Sequence, residues 1–189
     1  MNHLKTERLE LKCIGYDDED FIYKQFSTDE VNRYLFDAEP VASKEEAREI
    51  IDFYLEPEPR GQHRWIIVLK GNNEKIGTCG FHCWNRKTGE MEIGYDLQPA
   101  YWQKGYMSEA LIAALEFMKE ELGARKLYAH IYPENSASVR IAEKMGFART
   151  GKQYYEEFRG EKFLHDIYLL DLETGIHGQV KCSDYPTPQ

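Results

Sequence analysis

The sequence predicts a single domain of mixed α/β class, because segments with the period of strands alternate with segments with the period of helices. The chain has 189 residues, of which 42% are hydrophobic, and this is the size and composition of one domain with a packed core. No internal repeat or Pro/Gly-rich linker divides residues 1–171. We therefore expect one domain over residues 1–171 and a loosely ordered polar tail over residues 172–189.

The N-terminal third of the chain predicts one strand and two helices. Apolar residues alternate with polar ones over residues 8–14, which predicts a strand. Residues 17–26 are predicted as a short helix. Ser43 begins the pattern Ser-Lys-Glu-Glu, a capping box that predicts the start of a second helix, and we expect this helix to end near Pro57.

The rest of the chain predicts six further strands and two further helices. Turn residues separate three of the strands at hairpin spacing, so these three are expected as antiparallel neighbours. An apolar stripe at helical spacing begins at Met107 and closes at Gly123, which predicts a long helix. The strands are predicted over residues 65–69, 76–84, 90–97, 126–131, 147–158 and 162–170, and the last helix over residues 135–145. Together these elements give a mixed, mostly antiparallel seven-stranded sheet with helices on both faces.

The charge balance restricts the class of partner. Lys+Arg total 24 and Asp+Glu total 33, so the formal net charge is −9. Broad nucleic-acid binding needs a cationic face that displaces counterions, so we expect no nucleic-acid partner and favour cationic partners. No segment approaches the roughly 18 apolar residues of a membrane-spanning helix, and residues 1–10 are too polar for a signal peptide. We therefore expect no membrane association and a cytoplasmic location.

The four cysteines show no metal-binding spacing. Cys13, Cys79, Cys83 and Cys182 include no Cys-x-x-Cys pair, and cytosolic thiols stay reduced. Cys79 and Cys83 lie four residues apart on a predicted strand, so they are expected to share one face, with His82 on the other. We expect no metal cofactor.

A short glycine-containing loop joins the strand over residues 90–97 to the long helix. The loop reads Trp-Gln-Lys-Gly-Tyr-Met over residues 102–107 and contains Gly105. Backbone amides of the loop and of the first helical turn lack acceptors within the helix and lie at the positive end of its dipole. Such a position binds phosphate, although an ordinary strand-to-helix turn has the same pattern.

Three segments in order carry a family resemblance. The first is Glu-Ile-Gly-Tyr at residues 92–95, and the second is the glycine loop. In the third, residues 132–147, Asn135 and Ser138 lie three apart at another strand-to-helix junction. Together with the start and end of the domain, they resemble the GNAT superfamily of acetyl-CoA-dependent N-acetyltransferases. The resemblance is strongest to the Rim-type branch, which acetylates the N-termini of ribosomal proteins, and it covers about residues 4–171.

The resemblance implies a GNAT fold with a splayed central strand pair. The strand over residues 93–97 would separate from the strand over residues 126–131, and the pantetheine of acetyl-CoA would enter the gap as an added strand. Gly94 fits this arrangement, since a glycine inside a strand often marks close approach of another backbone, and a simple strand irregularity is the alternative.

The glycine loop departs from the family pattern. Trp102 and Met107 replace the usual first and last residues, and Gly105 is kept. Backbone amides do not depend on side chains, so pyrophosphate binding is still expected, but Met107 would crowd the loop. Lys104 would add a cation or remain an ordinary surface lysine. The residues implied to bind acetyl-CoA are Tyr95, Leu97, Gln103, Lys104, Gly105, Tyr106, Met107 and Asn135.

Acetyl transfer from a thioester needs a neutral amine and a proton for the leaving thiolate. At pH 7, a lysine-like amine costs about 4.6 kcal/mol to present neutral, whereas an α-amine costs about 1 to 1.4 kcal/mol. Glu92, on the strand that lines the cleft, is the candidate base, with an ordinary surface carboxylate as the alternative. Many relatives use a tyrosine as the proton donor, but Ala142 occupies that position here. The Rim-type resemblance assigns this role to Ser138, with a helix-capping serine as the alternative.

The resemblance places the acceptor amine between residues 36–40 and residues 154–158. Acidic and aromatic residues in both segments suit a cationic amine, although acidic residues are common throughout this chain. We expect a peptide or protein N-terminal α-amine as the acceptor, with a polyamine or aminoglycoside as the alternative. A non-catalytic CoA-binding sensor is the alternative from another class, because the glycine loop and the donor tyrosine are altered. Monomer and homodimer both remain open.

Overall fold

A mixed sheet forms the centre of this computed structural model, which describes residues 2–173. Its eight strands are β1 Leu4–Lys5, β2 Leu9–Cys13, β3 His63–Leu69, β4 Lys75–Asn85, β5 Glu90–Leu97, β6 Lys126–Ile131, β7 Ala148–Phe158 and β8 Glu161–Asp171. They lie in the order β1-β2-β3-β4-β5-β6-β8-β7, and each neighbouring pair is antiparallel except β5 and β6. The seven predicted strands are confirmed. The additional strand β1 has too few residues to show a period.

Helices cover both faces of the sheet, as predicted. They are α1 Glu19–Phe26, α2 Asp29–Asn32, α3 Lys44–Leu55, α4 Tyr106–Glu120 and α5 Ser136–Lys144. Trp65 and Ile67 of β3 belong to one core cluster with residues of α4 and α5. Ile66 and Val68 belong to a second cluster with residues of α1 and α3. Side chains alternate between the faces of a strand, so the two clusters lie on opposite sides of the sheet. The sequence did not predict α2, a single turn.

Side-chain caps mark the predicted starts of two helices, α3 and α5. Ser43 caps α3, since its side chain accepts a hydrogen bond from the Glu46 amide at 3.2 Å. The Glu46 carboxylate in turn accepts from the Ala42 amide at 2.9 Å. Asn135 caps α5 in the same way, with its Oδ1 accepting from the Ser138 amide at 3.1 Å. These bonds satisfy amides that have no acceptor within their helices.

Strand β4 is irregular near its C-terminal end. Its register against β5 shifts between His82 and Asn85, and Cys83 has a left-handed backbone with a φ of 53°. Cys79 is buried, whereas Cys83 is exposed, and the Cys83 sulfur lies within 4.8 Å of a His82 ring nitrogen. The prediction that Cys79 and Cys83 share a face opposite His82 is therefore wrong, because the bulge breaks the two-residue alternation on which it relied.

Strands β5 and β6 separate part-way along their length. Their parallel pairing joins Glu90 to Lys126 and continues to Glu92 opposite Tyr128, where it stops. From Ile93 onward, β5 keeps its pairing with β4 and has none with β6. The predicted splayed strand pair is thus confirmed, and it leaves one backbone edge of β5 free for a ligand.

The last described strand, β8, ends at Asp171. Most of the predicted tail over residues 172–189 falls on residues 174–189, which lie outside the described residues. Within residues 2–173, no helix has both the length and the apolar character that crossing a membrane requires.

Candidate active site

A cavity of about 910 Å³ opens where β5 and β6 separate. Residues of β5, the end of β6 and the start of α5 line it, together with residues between α2 and α3 and the hairpin of β7 and β8. Four of the predicted site residues line this cavity: Glu92, Tyr95, Asn135 and Ser138. The fold therefore brings the candidate base and the candidate proton donor to one space.

Glu92 is held by two imidazole rings. Its Oε1 atom lies 3.3 Å from His82 Nε2 and 3.2 Å from His130 Nδ1. His82 is its direct cross-strand neighbour on β4, and His130 belongs to β6. Burial raises the pKa of Glu92, but hydrogen bonds from His130 and His82 outweigh this effect and hold its pKa at about 2. Glu92 is therefore ionised at neutral pH.

Ser138 and Tyr95 form a hydroxyl pair in the same cavity. Tyr95 Oη lies 2.8 Å from Ser138 Oγ, and it also donates to the Ser138 carbonyl oxygen at 3.2 Å. Burial raises the pKa of Tyr95 to about 12, although the hydrogen bond with Ser138 lowers it. Tyr95 therefore keeps its proton at neutral pH and can supply it through Ser138.

The glycine loop leads into α4 through a left-handed turn. Gly105 caps the helix with a φ of 79°, and Gln103 also has a positive φ of 60°. The first amides of α4 have no acceptor within the helix and lie at its positive end. Met107 is 5% exposed and packs into the core, so its side chain does not crowd the loop as the sequence led us to expect.

Arg8 fastens the start of β2 to the start of α4. Its Nε atom lies 2.6 Å from Glu109 Oε2, and its Nη1 donates to the Lys104 carbonyl oxygen at 3.1 Å. Its guanidinium carbon lies 4.5 Å from the centre of the Tyr106 ring. Arg8, paired with Glu109, and Lys104 therefore both lie next to the start of α4. Sequence reasoning missed Arg8, because its position depends on a contact between distant parts of the chain.

The end of β5 is fixed by side chains on both sides of the backbone. Asp96 lies 3.0 Å from the Arg64 guanidinium of β3 and 2.5 Å from the Thr78 hydroxyl of β4, the strand paired with β5. The Leu97 carbonyl oxygen accepts a hydrogen bond from Trp102 Nε1 at 2.7 Å. These contacts hold β5 in place where β6 no longer pairs with it. If pantetheine also bonds to the Leu97 carbonyl oxygen, as predicted, this oxygen would accept hydrogen bonds from both pantetheine and Trp102.

Aromatic rings and carboxylates line the outer part of the cavity. Phe36 stacks on Phe163 of β8 with ring centroids 3.8 Å apart and meets Tyr132 edge-on at 5.0 Å. Glu39 accepts two hydrogen bonds from Arg159 Nε at 2.9 Å, which join the loop before α3 to the turn between β7 and β8. The cavity carboxylates in this region are Asp37, Glu39, Glu46, Glu49 and Glu156. The two segments predicted to surround the acceptor therefore do face one cavity.

These features fit acetyl-CoA. The free edge of β5 suits an extended ligand that carries amides, and the amides at the start of α4 suit a pyrophosphate. Residues 103–107 do not line the cavity itself but follow the end of β5, so the two parts suit an elongated ligand. Glu92 can accept a proton, and the Tyr95 and Ser138 pair can donate one. The arrangement supports transfer of an acetyl group to an amine.

Sequence reasoning missed both histidines that contact Glu92. His82 lies opposite Glu92 because of the register between β4 and β5, and the length of the hairpin alone does not define that register. His130 reaches Glu92 because β6 stays paired with β5 as far as Tyr128. The sequence also missed the side chain of Tyr95, which it assigned a backbone role alone.

Comparisons with known proteins identify one family. A family model described as an acetyltransferase (GNAT) domain matches residues 8–148. An uncharacterized N-acetyltransferase of Bacillus licheniformis, p20, is 33% identical over 174 residues, which cover 91% of this chain and 96% of that protein. The uncharacterized N-acetyltransferase YoaA of Bacillus subtilis is 37% identical over 171 residues, which cover 88% of this chain and 95% of that protein.

Solved structures agree with this assignment. A GNAT-family acetyltransferase from Bacillus anthracis matches with a TM-score of 0.77 at 26% identity, over 91% of this chain and 99% of that one. Spermidine N-acetyltransferase from Vibrio cholerae, in complex with CoA and spermine, matches with a TM-score of 0.75 at 22% identity. The match covers 88% of this chain and 96% of that one. RimL, a ribosomal α-N-protein acetyltransferase in complex with coenzyme A, matches with a TM-score of 0.79 at 19% identity. The match covers 90% of this chain and 98% of that one. The last two share the fold with this chain. The chain therefore belongs to the GNAT acetyltransferase domain family, and it is an acetyl-CoA-dependent N-acetyltransferase.

Proposed function

We propose that this enzyme transfers an acetyl group from acetyl-CoA to the N-terminal α-amine of a peptide or protein, as in the Rim-type branch. The observation that carries this proposal is the pair of imidazole contacts to Glu92, from His82 Nε2 at 3.3 Å and His130 Nδ1 at 3.2 Å, which hold the pKa of this carboxylate at about 2. Such a carboxylate is a weak base, and it suits an amine that loses its proton easily. Because an α-amine costs about 1 to 1.4 kcal/mol to present neutral at pH 7 and a lysine-like amine about 4.6 kcal/mol, the α-amine is the better match.

The donor site follows β5 and the start of α4. Acetyl-CoA supplies an activated thioester carbonyl when it is bound. The backbone of Tyr95 and Leu97 would hold its pantetheine arm, and the amides from Gln103 to Met107 would hold its pyrophosphate, with Lys104 as a nearby cation. Asn135 would lie near the thioester, because its neighbour Ser138 lines the same cavity.

Glu92 and its two histidines act as one proton acceptor. The acceptor amine must lose a proton as its nitrogen bonds to the acetyl carbon. Both imidazole rings contact the same oxygen of Glu92, and a neutral imidazole has one ring nitrogen that can accept a proton. A ring that takes the proton stays next to the carboxylate, so the new positive charge is neutralised where it forms. Glu92 accepts the proton directly or through His82 or His130.

Ser138 and Tyr95 supply the second proton. The bond between the acetyl carbon and sulfur breaks as the amide bond forms, and the departing thiolate needs a proton. Ser138 donates from the first turn of α5, where the helix dipole also favours negative charge. Tyr95, at 2.8 Å, then returns a proton to Ser138 and regains its own from solvent before the next turnover.

A small cationic amine is the second candidate acceptor. Carboxylates of the outer cavity, among them Asp37, Glu49 and Glu156, would attract a polyamine or an aminoglycoside. The aromatic ring of Phe36 offers a further contact for a cation. The solved neighbours named for their acceptors include both a spermidine acetyltransferase and RimL, so they favour neither candidate over the other.

The acceptor class can be tested by thiol release from acetyl-CoA at about pH 8, where about half or more of an α-amine is neutral. One pool contains short peptides with Ser or Ala at the N-terminus, and the other contains polyamines and aminoglycosides. The same peptides with a blocked N-terminus, but with their lysines intact, are the matched control. We expect thiol release with free peptides and none with blocked ones, and a fall of about 10²-fold or more in rate in Glu92→Gln.

Each other result contradicts a stated part of the proposal. Release from the blocked peptides would show lysine acetylation, and release from the second pool alone would support the small amine. Acetyl-CoA binding without turnover on either pool would favour the sensor.

A further inference from the structure

We propose that His82, Cys83 and Glu92 form a Zn²⁺ site that switches the acetyltransferase off. The switching part rests on the proposed role of Glu92 in proton transfer, whereas the binding part does not. One ligand atom from each of the three side chains lies within 4.8 Å of the other two. His82 Nε2 and Glu92 Oε1 are already 3.3 Å apart.

The spacing is close to that of a zinc site. With bonds of about 2.0 to 2.3 Å in tetrahedral geometry, neighbouring ligand atoms lie roughly 3.3 to 3.8 Å apart. His82 and Glu92 meet this distance without movement. Cys83 has an exposed side chain, so rotation about its χ1 angle can bring the sulfur closer.

The bulge in β4 is what brings the sulfur to this place. Consecutive side chains of a regular strand point to opposite faces. His82 and Cys83 would therefore ordinarily not bind the same metal ion. Cys83 instead has a φ of 53°, and the register of β4 against β5 shifts at this point. A left-handed backbone is uncommon for a residue other than Gly, Asn or Asp, and such conformations cluster at functional sites.

The donor set selects the metal. An imidazole nitrogen, a thiolate sulfur and a carboxylate oxygen suit Zn²⁺, whereas Mg²⁺ and Ca²⁺ prefer oxygen ligands throughout. Three protein ligands leave a fourth position for water. His130 lies 3.2 Å from Glu92 Oε1 and can remain hydrogen-bonded to this carboxylate as an orienting partner.

Binding would block the proton acceptor. Zn²⁺ replaces the thiol proton of Cys83, which leaves to solvent, and it bonds to Glu92 and His82. Glu92 then has its charge neutralised by the metal and no longer draws a proton from the acceptor amine. Removal of the metal restores the free carboxylate, so the inhibition is reversible.

Metal binding to the full-length protein tests the site independently of activity. Co²⁺, a spectroscopic stand-in for Zn²⁺, gives a thiolate charge-transfer absorption, and competition with a chromophoric chelator gives the affinity for Zn²⁺. We expect one ion per chain in the wild type, and at least a tenfold loss of Zn²⁺ affinity with no thiolate band in Cys83→Ser. Cys13→Ser is the matched control, since it removes a thiol outside the cluster and should bind as the wild type does. Cys83→Asn is a second variant, because Asn tolerates the left-handed backbone at this position.

Activity provides the second arm. We expect Zn²⁺ to inhibit the wild type and Cys13→Ser, whereas Cys83→Ser and Cys83→Asn keep their basal rate and need at least tenfold more Zn²⁺ for the same inhibition. Equal binding by wild type and the Cys83 variants, or equal inhibition of all of them, would overturn the proposal. Cys83-dependent zinc binding in a protein that acetylates no amine would retain the site and reject the proposed function.

Discussion

At the residue scale, Glu92 is a partly buried carboxylate whose charge depends on two neighbours. Burial raises its pKa, but hydrogen bonds from His130 and His82 lower it more, from an ordinary 4.5 to about 2. Between these two pH values the unfolded chain binds more protons than the native protein. This group therefore stabilises the fold above pH 4.5, and the stabilisation is lost as the pH falls through about 2.

Glu92→Gln should remove this pH dependence. We expect the variant to have a smaller free energy of unfolding at neutral pH, by no more than about 3 kcal/mol, because the shift covers about 2.5 pKa units. The difference from the wild type should shrink as the pH falls below about 4.5. Urea unfolding from neutral pH downward measures it. A difference that stays constant over that range would show that the imidazoles do not hold the charge of Glu92.

Ser138 and Tyr95 should act as a unit in catalysis. We expect Ser138→Ala to lower kcat by about 10²-fold or more while the KM for acetyl-CoA changes little, since proton donation is made in the transition state. Tyr95→Phe removes the hydroxyl that lies 2.8 Å from Ser138 Oγ, and it should lower kcat as well. The double variant should be no slower than Ser138→Ala.

A matched variant controls for effects on the helix. Ser136→Ala changes an exposed serine in the same first turn of α5 and should leave kcat unchanged. If the kcat losses of Ser138→Ala and Tyr95→Phe simply multiply in the double variant, the two hydroxyls do not share one proton path.

The family resemblance implied that Glu92, Asn135 and Ser138 lie at one cleft, and all three line the cavity. The sequence did not reveal that the Tyr95 hydroxyl reaches Ser138, a contact across 43 residues. The same holds for the rings around Glu92. Distances between side chains on separate strands depend on register and strand separation, which a single sequence does not provide.

At the element scale, prediction succeeded for segments long enough to show the apolar repeat of a strand or a helix. Strands β5 and β6 have the predicted bounds, and α4 begins one residue before the predicted Met107. Prediction failed for β1 and α2, which have two and four residues. It also failed at Cys83, where one bulged residue reverses the face of the side chain. The separation of β5 from β6 was expected from the family resemblance alone. The spacing of apolar residues does not show where two strands stop pairing.

The turn before α4 gives a test of the donor site. Gly105 and Gly151 both have a left-handed backbone, with φ values of 79° and 78°. Alanine in this region costs about 1 to 2 kcal/mol, so both Gly105→Ala and Gly151→Ala should lose that much stability. At Gly105 the new methyl would lie 3.4 Å from Arg8 Nη2, whereas nothing lies within 4 Å at Gly151.

The two variants should differ in their kinetics. We expect Gly105→Ala to raise the KM for acetyl-CoA by about tenfold, equivalent to about 1.4 kcal/mol, because the strained turn redirects the amides proposed to bind pyrophosphate. Gly151→Ala should leave that KM unchanged. Equal values of KM in the two variants, with equal losses of stability in urea, would remove the α4 amides from the donor site.

At the scale of the whole molecule, one topological feature creates the site. The sheet has a single parallel pair, β5 and β6, among its described strands, and this pair opens after three paired residues on each strand. Helices α4 and α5 follow β5 and β6 in the chain, so both of their N-termini lie at the open end. In the proposed function, one face of the gap receives the donor, and the loop before α3 and the last hairpin enclose the acceptor side.

The net charge of −9 acts over the same scale, and it predicts how salt affects the acceptor. A peptide with several positive charges should have a kcat/KM that falls more steeply with ionic strength than that of a peptide whose α-amine is its only cation. The Debye length is about 10 Å at 0.1 M salt, so nearby carboxylates should dominate over distant ones. Glu49→Gln, in the cavity, should therefore reduce the salt dependence for the multiply charged peptide. Glu116→Gln, on α4 outside the cavity lining, makes the same change in net charge and should not. If kcat/KM depends equally on ionic strength in the two variants, the net charge, rather than the cavity carboxylates, attracts the acceptor.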